Sequence, residues 1–90
     1  MVGINVKKLE DHLLIQWQMS STEIPLSEIK DVFYDDTYAG EGRDAVRIGT
    51  PYGTTDRVVI STNTKPYILF TTNGNTIINK IKSYIKAEER

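Results

Sequence analysis

The chain has 90 residues, no cysteine, and 11 basic against 12 acidic side chains. That length makes one domain that buries roughly 60–70% of its unfolded surface, and the missing cysteines exclude a disulfide framework, a thiolate metal site and a cysteine nucleophile. The near-balance of charge supplies no global drive toward nucleic acid, which a basic footprint would mark, nor toward an acidic membrane surface.

The first residues hold no long apolar run. Neither a signal peptide nor a transmembrane helix is therefore expected, and a cytoplasmic location is. Residues 2–6 read as a short opening strand or an ordered arm. Leu13, Ile15, Trp17 and Met19 alternate with Leu14, Gln16 and Gln18, which predicts a strand over residues 11–20 with the first set buried. Residues 20–22 turn the chain. Residues 23–26 form a short strand that Pro25 confines to a sheet edge or a strand end.

A turn or a single helical turn is expected at 27–29, then a strand with Val32 and Tyr34 on one face and Phe33 on the other. Residues 36–44 make a polar loop containing Gly40 and Gly42. Strands over 45–49 and 57–61 flank a turn at 50–56, and 62–65 link to the last stretch.

That last stretch, residues 66–86, organises everything before it, because the β-structure needs a cover and only one helix is available. Tyr67, Ile68, Leu69, Phe70 and Thr71 form a β-branched and aromatic run bounded by Pro66 and by Asn73-Gly74, which are strand and turn signals. After Gly74 the period changes from two to 3.6. Ile77, Ile78, Ile81, Tyr84 and Ile85 fall on one stripe of a helix, with Asn79, Lys80, Lys82, Ser83 and Lys86 on the other face. Asn73 or Asn75 can cap its start. The late lysines suit the negative end of its dipole, whereas Glu88 and Glu89 oppose it and predict a frayed last turn.

The count is about six or seven short strands, whose spacing suggests an antiparallel meander curled into a sandwich or barrel. No crossover helix separates them, so a parallel sheet is not expected.

Two stretches carry a resemblance. Ile24-Pro25-Leu26-Ser27-Glu28-Ile29-Lys30-Asp31-Val32 looks like the connection between the second and third strands of bacterial pleckstrin-homology-like domains. Pro66-Tyr67-Ile68-Leu69-Phe70-Thr71-Thr72-Asn73 and the helix after it look like their last strand and its exit. The chain is similar to a small Bacillus-type family that includes the sublancin immunity protein. The resemblance implies an α+β fold, a pleckstrin-homology-like antiparallel β-barrel or roll with a C-terminal α-helix, and an interaction role related to bacteriocin immunity. The sublancin immunity protein carries an N-terminal membrane anchor, and no such anchor is expected from the residues of this sequence.

The residues themselves favour no catalytic set. His12 is the lone histidine, and no serine or cysteine motif accompanies it, so an ordinary surface imidazole is the plainer reading than a general base. Residues 35–44 hold four carboxylates, but their spacing departs from an EF-hand loop and Arg43 competes as counter-ion; a solvated loop is expected rather than a calcium site. Gly40 and Gly42 are followed by no phosphate-loop pattern. The hairpin expected over 16–26 has no lysine or arginine, which argues against a phosphoinositide site there. Trp17 fits the core register.

The expectation is therefore a non-enzymatic interaction module with no cofactor and no metal. Its partner is a protein or a second copy, with Tyr38, Arg47, Tyr52 and Arg57 as the candidate contact residues. Tyrosine is enriched at recognition surfaces, and strands 45–49 and 57–61 lack the proline that blunts an edge. The alternative is a small-molecule or lipid-binding domain using a cavity between sheet and helix. A peripheral membrane contact has no support in the residues.

Overall fold

Alternating apolar residues and two very short reversals fold the first third of the chain into successive hairpins. A computed structural model describes residues 3–34, 45–49 and 56–88. In it β1 (Asn5–Leu9), β2 (His12–Trp17) and β3 (Ser20–Pro25) pair antiparallel in that order. Leu9 lies opposite His12 and Trp17 opposite Ser20, so Glu10-Asp11 and Gln18-Met19 are two-residue loops. Glu10 and Gln18 take φ of 57° and 55°, the left-handed backbone that tight hairpins demand.

This geometry corrects several expectations. The opening strand runs from Asn5 to Leu9 rather than over residues 2–6. The second reversal falls at Gln18-Met19, and Ser20 already belongs to β3. Met19 is fully exposed at the loop tip instead of continuing the buried set, because the chain leaves the pleat once Gln18 goes left-handed. Pro25 ends the edge strand β3, as its missing donor requires. The first hairpin is β1–β2, which carries Lys7 and Lys8, so the argument from residues 16–26 against a phosphate site applies only to the second.

A 3₁₀ turn (Leu26–Glu28) swings the chain to the second sheet. There β4 (Ile29–Tyr34), β5 (Val46–Ile48), β6 (Asp56–Thr62) and β7 (Tyr67–Thr71) lie in the order β4-β6-β7-β5. The pairs β4–β6 and β6–β7 are antiparallel, but β5 runs parallel to β7. The sheet is not parallel, but the expected antiparallel meander is broken at this one strand. No crossover helix is needed, because β6 itself carries the chain back before β7 slots in beside β5.

The buried faces of both sheets meet in one core. Val6, Leu13, Ile15 and Ile24 come from the first sheet, and Val32, Val58, Ile60 and Leu69 from the second. Helix α1 (Gly74–Glu88) closes it, packing against β1, the 3₁₀ turn, β4 and β6. Its stripe falls as the period requires: Ile77, Ile78 and Ile81 are buried, and Tyr84 and Ile85 pack against the core from its rim. Burial holds this helix, since β-branched isoleucines are mediocre helix formers alone. The fold is α+β: among the described residues it has seven strands in two sheets with a C-terminal helix, and those sheets do not close into a barrel.

Candidate functional site

Strand register places the contact candidates. Along β6 and β7 the side chains of Val58, Ile60 and Leu69 point into the core, so their neighbours point out. Arg47 stands opposite Ile68, and Arg57 opposite Phe70. Both arginines therefore lie on the outer face of the second sheet, on strands separated only by β7 and offset by two residues along it, about 12 Å apart between their backbones. Phe33 shares that face, opposite Val59, and is exposed. Tyr34 is exposed too, although it shares a strand face with buried Val32, because it lies over the start of α1 instead of in the core. Tyr38 and Tyr52 lie outside the described residues, as do residues 36–44 and 50–55.

The two arginine strands are not equivalent. β6 is bonded on both sides, by β4 and by β7, so it offers no free edge. This corrects the expectation that the strand carrying Arg57 could receive a partner. β5 is bonded only to β7 among the described residues. Val46 N–H donates to the carbonyl of Pro66 at 3.0 Å. Successive N–H groups of a strand point to opposite sides, so the Arg47 N–H faces away from β7. Arg47 itself is exposed. Beside it a cleft of about 170 Å³ opens between Trp17, Ser20 and Thr22 on one side and Val46, Arg47 and Ile48 on the other.

A second opening, of about 270 Å³, lies on the far edge of the same sheet, between Lys30, Asp31 and Val32 of β4 and Lys82, Ile85 and Lys86 of α1. These lysines were missed in the sequence, because they come together from segments some fifty residues apart. The signal that existed was Lys82 and Lys86 at i, i+4, which share a helix face. Both openings are smaller than the roughly 300–1,000 Å³ that drug-sized ligands fill.

Elsewhere the chemistry is structural. His12 Nδ1 lies 2.7 Å from an Asp11 carboxylate oxygen at the β1–β2 loop. The aspartate side chain is 71% exposed, so this is a surface pair worth at most about 1 kcal/mol. Thr62 donates to the carbonyl of Lys65 at 2.6 Å and accepts from the N–H groups of Thr64 and Lys65, which fastens the β6–β7 turn. Thr71 donates to the side-chain oxygen of Asn73, just before the helix. Among the described residues no buried side-chain polar atom lacks a partner, and no cluster of metal-ligating side chains occurs. No helix there is long and apolar enough to cross a membrane.

Comparison with known proteins agrees with this architecture. The profile of the SunI-like bacterial PH domain matches residues 2–83. The UPF0457 protein YnzG of Bacillus subtilis (strain 168) is 59% identical over 83 residues, covering 92% of this chain and all of that protein. A UPF0457 protein of Geobacillus thermodenitrificans is 54% identical over 88 residues, covering 98% of this chain and 95% of its own length. One from Bacillus cereus is 52% identical over 84 residues, covering 92% of this chain and all of that protein. No solved structure matches the chain significantly.

Proposed function

The chain belongs to the SunI-like bacterial PH domains, and from that premise we propose that it is a non-enzymatic protein-interaction module acting in the cytoplasm. One observation carries the reading: the second sheet is open at both ends among the described residues, at β4 and at β5. An open edge presents N–H and C=O groups that accept a strand from another chain. The β5 edge is the one reached by the candidate residues, with Arg47 on it and Arg57 on the same outer face. Tyr38 and Tyr52, which precede and follow β5 in the sequence, are the further contact residues we propose. The link to bacteriocin immunity rests on the family resemblance alone.

The test is Arg47→Pro. Its N–H faces outward, so proline removes a donor from the edge and leaves the β5–β7 ladder bonds in place. Light scattering after size exclusion, together with a pull-down from the native cytoplasm, should show self-association or a retained protein with the wild type and its loss in the variant. A wild-type chain that stays monomeric at high concentration and retains no protein would overturn the module reading and put the small-molecule alternative ahead.

A further inference from the structure

We infer that the groove between β4 and α1 is a docking site for an extended, acidic peptide segment of another protein, which lies along the free edge of β4 with its carboxylates on Lys30, Lys82 and Lys86. This rests on the interaction-module reading, and it adds a separate surface and the chemistry of the partner.

The strand comes first. β4 pairs with β6, and no described strand lies on its other side. Its register shifts between Ile29 and Asp31, which leaves Lys30 as the extra residue of a bulge. A bulge re-aims a side chain and commonly sits beside a functional surface. Here Lys30 lines the groove opposite the helix. Lys82 and Lys86 stand one turn apart on α1 and line it from the other side.

Charge then selects the occupant. Among the described residues, none of the three lysines has an ion-pair or hydrogen-bond partner. The acid that lines the groove, Asp31, is paired with none of them: its carboxylate accepts from the Val32 N–H of its own strand at 2.8 Å. Three ammonium groups thus surround a floor made by Val32 and Ile85. Asp31 occupies a backbone donor of the edge strand that an incoming carbonyl or carboxylate would otherwise take. A lipid surface fits less well. It is flat, and Val32, buried at the foot of the groove, cannot reach it, whereas an extended peptide beside β4 meets strand edge, apolar floor and lysines together.

The experiment titrates the nitrogen-15-labelled full chain with the capped peptide acetyl-Glu-Glu-Val-Glu-Val-Glu-Glu-amide at low salt. Saturable amide shifts should appear at residues 30–33 and 81–86 and weaken as salt screens the charges. The double variant Lys82→Glu, Lys86→Glu should bind about tenfold more weakly or worse, since like charges now face each other. Asp31→Ala should bind more tightly, because it removes a repelling carboxylate and frees the Val32 N–H. The same peptide with lysine in place of glutamate should cause no saturable shift. Circular dichroism verifies that each variant keeps its helix.

Three results would each overturn the inference. One is the absence of saturable shifts at those residues. Another is shifts that the charge reversal leaves unchanged. The third is co-sedimentation with phosphatidylcholine–phosphatidylserine vesicles while the peptide has no effect, which assigns the lysines to a membrane. The Arg47→Pro comparison reads the opposite edge, so failure at β4 and failure of the module reading are told apart.

Discussion

Ile81 has no solvent exposure, whereas its neighbour Lys82 faces the groove. Ile81→Ala opens a cavity under the covering helix and should cost about 2–4 kcal/mol. Lys82→Ala should change stability by only a few tenths of a kcal/mol, as surface substitutions do. Chemical denaturation of the two variants checks the pair, and equally small effects would contradict the helix register. Backbone conformation decides Gly49. It has φ of 96°, and an added Cβ would come 2.6 Å from the Phe70 carbonyl oxygen. Gly49→Ala combines a left-handed backbone with a backbone clash and should cost about 1–3 kcal/mol, read from the same denaturation curves. Gly74 is a different case. A Cβ there would lie 2.8 Å from the Tyr34 ring, so the start of the helix depends on a close approach to β4 rather than on a special φ.

Strand position separates β5 from β6. β6 exchanges bonds with β4 and β7, and Val58 and Ile60 on it are fully buried. Val59→Pro removes a donor that has a partner strand on either side, and central strands do not tolerate this. The variant should lose its cooperative thermal transition by circular dichroism. Arg47→Pro, on a strand bonded only to β7 among the described residues, should keep it. If both variants melted like the wild type, the strand order of the second sheet would be wrong. The same order makes β4 the second open edge among the described residues, and the bulge places Lys30 in the lining of the groove that α1 shares.

At the scale of the molecule, the question is whether any bound ion contributes to stability. Residues 35–44, with their four carboxylates, lie outside the described residues. A ligand that binds only the native state adds about 2.7 kcal/mol at 100 times its Kd. In a domain of this size about 1 kcal/mol moves the melting temperature by roughly 4–8 °C. Millimolar calcium is expected to leave the thermal melt unchanged, and a rise of several degrees would overturn the expectation that residues 35–44 hold no calcium.

The sequence by itself determined the parts of this protein that depend on local periodicity. The five apolar positions of α1, the Tyr67–Thr71 strand and the edge position of Pro25 were all legible. A 3.6-residue or two-residue period states directly which side chains leave water, and a missing N–H states which ladder a residue cannot join. The same signal misplaced Met19, because one left-handed residue ends an alternation that the composition alone would continue. Only the tertiary structure decided that β6 lies inside the sheet, that β5 runs parallel to β7, and that Lys30 meets Lys82 and Lys86 across a groove. Alternation tells each strand which face to bury but not which strand to sit beside. Neighbours are chosen by hydrogen bonds and packing between distant segments, and those contacts set which edges, and which charges, remain open to a partner.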